Sequence, residues 1–213
     1  MILENLLAHF DSHTMLHIDV NDVRDQLVAM GVEDHIRFHF VKMDKDRIRG
    51  LLHRYIKTNA VYGEPEHCSD ILIPVDMGEE HEAWQRLVAV KEMLHITDSE
   101  PLSAESGAAV DNLFKQFSLP PELRDDKFDG PGKSFLNDRV RIYAALAVLV
   151  PADARDILRP LYAAEKLSDR EIAEIAKVPI RYIPTIMAES FDAFIGAIIG
   201  WEKKEEGAIL VGI

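Results

Sequence analysis

The sequence contains very little cysteine, since Cys68 is the only one among its 213 residues. A single cysteine cannot form an internal disulfide, which excludes a disulfide-stapled extracellular fold and makes a reducing cytoplasm the expected location. The chain also lacks any run of about eighteen apolar residues, the length that a membrane-spanning helix needs. Its first ten residues are interrupted by Glu4, Asn5 and His9 and do not resemble a secretion signal. We therefore expect a cytoplasmic protein with no membrane contact.

Basic side chains are outnumbered by acidic ones, 24 against 37, which gives a formal net charge of -13. This excess disfavours broad, sequence-independent binding to nucleic acid or anionic membrane, and it favours neutral or basic partners. Hydrophobic residues make up 47% of the chain, enough for the core of one large domain or two small ones. With no repeat and no low-complexity tract, we expect a single domain over residues 1–213, mixed α/β in residues 1–100 and all helical in residues 101–213.

The first half of the chain alternates between helical and strand patterns. Apolar residues at helical spacing predict a short first helix over residues 2–10, and Asp19 is the predicted N-cap of a second helix over residues 20–30. A period of two from Ile36 predicts a strand. Two more strands are predicted over residues 47–57 and 69–76, with a tight turn at 43–46 that favours a hairpin and a loop at 58–67. These segments predict a small sheet of about three strands.

The second half is predicted to be helical. Ser103 and Ser168 are the predicted N-caps of two of its helices, and Pro151 is the predicted first residue of another. An irregular connection rich in proline and glycine is predicted at 119–134. The predicted helices cover residues 103–117, 135–150, 151–164, 169–177 and 179–199. The fold class we expect is therefore α+β, with a small three-stranded sheet packed on a central helix and a helical C-terminal half.

The central helix is predicted over residues 79–98, just after the last strand. Steps of three and four residues bring one set of side chains to a single inward face, namely Trp84, Leu87, Val88, Lys91, Leu94 and His95. A zinc-peptidase helix carries two His residues four apart, which converge on one metal ion, and a Glu after the first His that takes a proton from the bound water. Here Lys91 stands at the position of the first His, followed by Glu92 and then His95.

Three stretches, in the same order, resemble the ImmA/IrrE-type metallopeptidases, zinc-dependent proteins often encoded beside repressors in mobile elements and stress operons. The first joins the strand at 70–75 to the helical run at 86–95, and the second is the Ala-rich segment at 138–151, which ends at a proline. The third is the helical pair at 167–187. The resemblance covers roughly residues 36–187 and implies that the central helix is zincin-like.

The resemblance also implies roles for particular residues. Glu92 corresponds to the general base, His95 to a zinc ligand, and Asp138 to the acidic third ligand near the start of the Ala-rich helix. Lys91 replaces the remaining ligand, and its ammonium would repel a dication as well as fail to bind it. Asp138 is one methylene shorter than the family's Glu. We therefore expect that the metal chemistry is lost and that no cofactor is needed, with zinc expected only if the chain is an active peptidase after all.

Structural roles are the simpler interpretation of the same side chains. His95 is then a hydrogen-bonded core histidine, and a Lys91–Asp138 or Lys91–Glu92 ion pair fills the place of a metal ion. His81 cannot join His95 at one ion, because fourteen residues of helix separate them by about 20 Å. His67 and its neighbour Cys68 are expected to be residues of a surface loop rather than ligands.

Residues 167–183 also resemble a DNA-reading helix-turn-helix, with Ala173 in its first helix and Val178 in its turn. Charge argues against that role, because the would-be recognition helix offers Arg181 and little else that is basic, while Glu189 and Asp192 follow it. We expect these helices to pack in the core, and we assign no nucleic-acid-binding residue.

The sequence thus leads to a first hypothesis and two alternatives. The first is a non-catalytic ImmA/IrrE-like protein that acts by binding another protein, such as a repressor or other regulator of a prophage or mobile element. One alternative is an active zinc peptidase that cleaves a repressor, with Glu92 as its base. The other is a DNA-binding regulator that uses residues 168–187. The biological setting follows from the resemblance alone.

Overall fold

The structure is a computed structural model that describes residues 2–44, 49–58, 65–97 and 131–211, with the backbone alone described at 131–139 and 201–211. Helices and strands alternate in its first half, and its described second half is helical, which confirms the α+β class. The elements are, in chain order, α1 (Ile2–Asp11), α2 (Val20–Ala29), β1 (His35–Val41), β2 (Leu51–Thr58), β3 (Pro65–Pro74), α3 (His81–His95), α4 (Pro131–Leu149), α5 (Ala152–Ala163), α6 (Asp169–Ala176), a 3-10 turn (Ile180–Tyr182), α7 (Ile183–Met187) and α8 (Ser190–Val211).

The strands of the described residues form one mixed sheet in the order β1-β3-β2. β3 pairs in parallel with β1, with His35 opposite Cys68, and antiparallel with β2, with Leu51 opposite Leu72. The predicted hairpin between the first two strands is therefore wrong, because β1 and β2 are not neighbours. β3 holds more buried residues than either edge strand, so burial, and not proximity along the chain, decides which strand is central.

The strand boundaries also differ from those predicted. β2 begins at Leu51, and residues 45–48, which belong to the predicted turn and to the predicted start of that strand, lie outside the described residues. β3 begins at Pro65, so His67 and Cys68 are strand residues and not part of a loop. The antiparallel pairing with β2 extends β3 at this end, because Thr58 and Lys57 supply partners for its first residues.

One face of the sheet is apolar and packs on α3. Alternate residues of β3, Ile71 and Ile73, are fully or almost fully buried on this face. Ile36 and Phe38 of β1 lie beside them in the parallel register. Leu52 of β2 packs against the same core. The predicted strand β1 is thus confirmed, and its alternation holds for Ile36 and Phe38, whereas Phe40 two residues further on is 58% exposed. The apolar face explains why α3 lies where it does.

A buried polar network ties the three strands together on the same side. The carboxylate of Asp34, just before β1, accepts hydrogen bonds from Arg54 Nε at 3.0 Å and Arg54 Nη2 at 2.9 Å. Ser69 Oγ of β3 donates to the same carboxylate at 2.6 Å. Asp34 is only 8% exposed, so the arginine fork is needed to keep its charge in the core.

The central helix α3 is buried on more sides than the sequence pattern predicts. Every residue from Leu87 to Leu94 is buried, although only one face was expected to be. The helix packs on β2 and β3 and also on α2 and α4, which explains the additional burial. Trp84 and His95, at the two ends of the predicted face, are half-buried.

Local signals predict most of the other helix ends. The Asp19 side chain accepts a hydrogen bond from Asn21 N at 2.7 Å and caps α2. Ser168 and Glu171 form a reciprocal capping box on α6, and the hydrogen bonds from Ser168 hold the pKa of Glu171 below its usual value. α5 begins at Ala152, one residue later than predicted, so Pro151 is its N-cap and not its first residue. The predicted helix at 103–117 lies outside the described residues, as does the predicted irregular connection up to residue 130.

The long helix predicted at 179–199 is wrong, because this segment is broken. A 3-10 turn and the five-residue α7 come first, Ala188 is extended with ψ 137, and α8 then begins. The two parts are bent by 87°. Pro184 favours a helix start, since it has no N–H to donate, and Ile183, Ile186 and Met187 fill the core on the near side of the bend.

The described residues contain no single helix that is both long and apolar enough to cross a membrane. The bent pair formed by residues 180–187 and 190–200 meets those criteria only when its two parts are taken together.

Replacing Gly50 by alanine should destabilise the protein. An added Cβ would lie 2.3 Å from Val88 Cγ1 and 2.7 Å from Glu92 Oε1, both on the buried part of α3. We expect Gly50→Ala to lower the free energy of unfolding, measured in urea, by about 1–3 kcal/mol. Gly196→Ala is the matched control: Gly196 lies in α8 with nothing within 4 Å of its Cβ position, so the change should stabilise by about 0.5–1 kcal/mol. Equal effects of the two changes would contradict the close packing of Gly50 on α3.

Removing the arginine of the buried network should also be costly. Arg54→Met leaves the Asp34 carboxylate buried with Ser69 as its remaining partner. We expect a loss of about 2–3 kcal/mol in unfolding free energy. Arg24→Met, which breaks an exposed pair with Asp25, should change stability by less than about 0.5 kcal/mol. A similarly small loss in Arg54→Met would show that the network does not hold the sheet.

Candidate functional site

The second half of α3 carries three of the residues that the resemblance singles out. Lys91 and Glu92 lie in the buried middle of the helix, and His95 is its last residue. Lys91 and His95 are one turn apart and share a face, as predicted. The sheet, α2 and α4 pack around this part of α3, so any chemistry here would take place inside the core.

Lys91 and Glu92 form a buried ion pair. Lys91 Nζ lies 2.8 Å from Glu92 Oε1, and the two side chains are only 11% and 6% exposed. Glu92 Oε1 has no partner with hydrogen-bond geometry, so the contact is coulombic rather than a well-directed hydrogen bond. Of the two ion pairs proposed for Lys91 from the sequence, the pair with Glu92 is present.

The backbone at Gly50 blocks access to Glu92 from the side of the sheet. Gly50 lies so close to α3 that a Cβ at this position would collide with Val88 and Glu92. A general base must reach the water or substrate from which it takes a proton. With an ammonium at 2.8 Å and only 4% of the residue exposed, Glu92 is held as a counter-ion.

Asp138 is on the helix predicted for it but is not itself described in detail. Its backbone belongs to α4, which packs on α3, and its side chain lies outside the described residues. Its role as third ligand, and the Lys91–Asp138 pair, therefore stay predictions. One turn later on α4, Arg141 is 7% exposed, so a second cation is buried on the helix that covers α3.

The described side chains do not fit zinc. A catalytic zinc ion needs three protein ligands and an open position. Within the described part of the chain, no three His, Cys, Asp or Glu side chains form a group that could hold a metal ion. The ligand position one turn before His95 is occupied by an ammonium group, whose charge opposes a dication. We therefore assign no catalytic step to a metal ion here.

The other histidines and the cysteine do not complete the site. His81 is the exposed first residue of α3, at the opposite end from His95. Cys68 is 2% exposed and His67 is exposed, and as neighbours in β3 they point to opposite faces of the sheet. The predicted surface loop is therefore wrong for both residues, because they belong to β3 and Cys68 is buried.

The segment that resembles a helix-turn-helix has a very short second helix. α6 is regular, and Lys177 ends it in the left-handed conformation with φ 50. The following 3-10 turn and α7 bury Tyr182, Ile183 and Ile186. Five residues of helix extend only about 7.5 Å, too little to present several side chains along a DNA groove. The prediction that these helices pack in the core is confirmed.

An arginine–tryptophan cluster, not anticipated from the sequence, lies at the other end of α3 and consists of Arg49, Trp84, Arg181 and Tyr182. Arg49 Cζ lies 4.3 Å and Arg181 Cζ 5.2 Å from the centre of a Trp84 ring. Arg181 Cζ is also 4.7 Å from the Tyr182 ring, which meets Trp84 edge-on at 5.9 Å. Burial raises the pKa of Tyr182, against the opposite effect of the two arginines, so its phenol is neutral at pH 7. These residues are far apart in the sequence, and no motif connects them.

An open cavity of about 480 Å³ lies beside α1 and α2. His9, His13 and His17 line it together with Asp22 and Asp25. Burial lowers the pKa of His17, and nearby Arg86 adds to the effect, so the neutral imidazole is favoured. No three of these side chains form a group that could hold a metal ion, and the same is true of the other described residues.

Comparisons of the chain with protein-family models, with curated proteins and with solved structures find no match. The resemblance to the ImmA/IrrE-type peptidases is therefore one of sequence motifs, carried by the three stretches and by the residues of α3.

Removing the charge of Lys91 should destabilise the fold. Lys91→Met leaves the Glu92 carboxylate in the core without its counter-ion, and we expect a loss of about 3 kcal/mol in unfolding free energy. Adding Glu92→Gln to this variant should recover most of the loss, because the buried charge is then gone. Urea denaturation at neutral pH measures both effects.

Lys57→Met is the control for that experiment. Lys57 forms an exposed pair with Glu66 at 3.9 Å, so its loss should cost less than about 0.5 kcal/mol. Wild-type stability in Lys91→Met would contradict the account of a buried, mutually dependent pair.

Proposed function

We propose that this chain is a non-catalytic relative of the ImmA/IrrE-type metallopeptidases and that it works in the cytoplasm by binding another protein. The partner implied by the resemblance is a repressor or other regulator of a prophage or mobile element. The observation that carries the proposal is the contact of Lys91 Nζ with Glu92 Oε1 at 2.8 Å. This contact joins Lys91, at the altered ligand position, to Glu92, the residue that would act as the general base.

This contact removes two requirements of peptidase chemistry at once. A metal ligand one turn before His95 would need an atom with a free lone pair, and an ammonium has none. A general base needs a free carboxylate near the substrate, whereas Glu92 neutralises a buried cation. The pair stabilises the helix in the core instead, which is the role of a scaffold rather than of a reaction centre.

A protein that keeps such a fold without the chemistry must act through its surface. Beside the first turn of α3, half-buried Trp84 carries the exposed guanidinium groups of Arg49 and Arg181, which come from other parts of the chain. Aromatic and guanidinium groups are the side chains that dominate protein interfaces. The net charge of -13 opposes a nucleic-acid partner. The competing proposal of an active zinc peptidase keeps Glu92 as base and His95 as ligand and needs Lys91 displaced from Glu92, and the experiment below separates the two.

Metal content is the direct test. Protein purified without chelator and without a histidine tag should contain far less than one zinc ion per chain, as measured by inductively coupled plasma mass spectrometry. His95→Ala should give the same low value, and neither protein should cleave candidate repressors. Lys91→His restores a His-Glu-x-x-His run and should raise the zinc content above that of the wild type, because the repelling charge is replaced by a ligand. Near-stoichiometric zinc in the wild type that is lost in His95→Ala would overturn the proposal and favour the active peptidase.

A further inference from the structure

The arginine–tryptophan cluster brings together three separate parts of the chain. Arg49 lies just before β2, Trp84 in the first turn of α3, and Arg181 in the 3-10 turn. Both arginines are exposed, Trp84 is half-buried, and Tyr182 is 7% exposed. The aromatic rings thus form a fixed base, and the two guanidinium groups are held on it by cation–π contacts.

Two like charges are concentrated here. Because Arg49 and Arg181 both lie against the same indole, their guanidinium groups are within about 10 Å of each other, no more than a Debye length at 0.1 M salt. Within the described part of the chain, neither guanidinium forms an ion pair with a carboxylate. Repulsion between the two groups is a cost that a bound anion would remove.

The nearby carboxylates of α3 are already occupied. Glu80 Oε1 accepts a hydrogen bond from Ile180 N at 2.8 Å, next to Arg181 in the chain. Glu82 Oε1 pairs with Lys177 Nζ at 2.9 Å. In a chain with an excess of acidic residues, the local carboxylates thus bind other donors, and the two arginines keep their capacity to bind external anions.

We propose that the arginine–tryptophan cluster binds a short acidic segment of a protein partner, with one carboxylate on each guanidinium. The planar guanidinium matches a carboxylate with two parallel hydrogen bonds, and the cation–π contacts hold each fork in place before the partner arrives. Side chains two apart in an extended segment are about 7 Å apart, which is within the upper bound of about 10 Å that the ring distances set for the two guanidinium groups.

The charge of the whole chain favours a short acidic segment over a polyanion. Nucleic acid presents a continuous row of phosphates, whose approach to a molecule of net charge -13 is opposed well beyond the two arginines. Two carboxylates on an otherwise neutral or basic protein contact only the two arginines, so the repulsion from the rest of the acidic chain is smaller. This inference rests on the proposed function in one respect, namely that the partner is a protein.

Trp84 provides the signal for the test. The chain has two tryptophans, so the full-length Trp201→Phe variant leaves Trp84 as the only emitter. A synthetic hexapeptide of alternating Glu and Gly should change its emission saturably at low salt. Arg49→Gln and Arg181→Gln should each weaken binding about tenfold, the loss expected for one charge-assisted bidentate contact. Raising NaCl from about 50 to about 500 mM should weaken it as well.

The controls separate charge, position and class of ligand. Arg24→Gln removes an exposed cation on α2, away from the cluster, that is paired with Asp25, and it should leave the affinity within about twofold. A peptide with Gln in place of Glu should not bind. Arg49→Lys and Arg181→Lys keep the charge but lose the fork, and they replace the Gln variants if those do not fold.

Any of these results would overturn the inference: no saturable change with the acidic peptide, equal binding of the Gln peptide, equal binding by the arginine variants, or tighter binding of duplex DNA than of the peptide. Inorganic phosphate that binds as tightly as the peptide would also overturn it, because the cluster would then be a simple anion site. The outcome is independent of the metal assay. Failure of peptide binding with no zinc would remove the acidic partner only, whereas zinc and proteolysis would refute the proposed function whatever the peptide does.

Discussion

A charged group inside a protein core needs a counter-charge, and this requirement governs the centre of the present fold. Lys91 and Glu92 are adjacent in α3, both are buried, and their charged atoms lie 2.8 Å apart. Neither side chain could remain in the core as an isolated ion. The pair lies among the apolar residues from Leu87 to Leu94, which pack on the sheet, α2 and α4.

The same helix divides into two functional parts. Its second half is enclosed, and Gly50 closes it from the side of the sheet, where a larger residue would not fit. Its first half reaches the surface, where Trp84 supports two guanidinium groups. Gly50 and Arg49 are neighbours in the chain, so the backbone that seals the buried pair also places one arginine of the surface cluster. The buried ion pair in the core and the proposed recognition at the surface thus share one helix, α3.

Features set by neighbouring residues could be predicted from the sequence. Asp19 and Ser168 were recognised as caps because a cap acts within one helical turn, and the period of two in β1 reflects a single buried face. The break after Met187 was missed, because the apolar pattern continues through it and the bend is imposed by packing in the core. The strand order could not be predicted from the sequence either. β3 is the central and most buried strand, and the sequence of β3 alone does not show which strands lie beside it.

The candidate site shows the same difference between features set by neighbouring residues and features set by the folding of distant segments. Lys91, Glu92 and His95 belong to one helix, so their relative positions could be read from the sequence, and one of the two predicted ion pairs is present. The meeting of Arg49, Trp84 and Arg181 depends on how three distant segments fold together and leaves no local pattern.

The most direct test of the central claim is an experimental crystal structure of the untagged protein grown with added zinc, with anomalous diffraction measured at the zinc edge. The account predicts that Lys91 Nζ remains at ion-pair distance from Glu92 and that no zinc peak lies on His95. A zinc peak bonded to His95, with Lys91 displaced from Glu92, would contradict it.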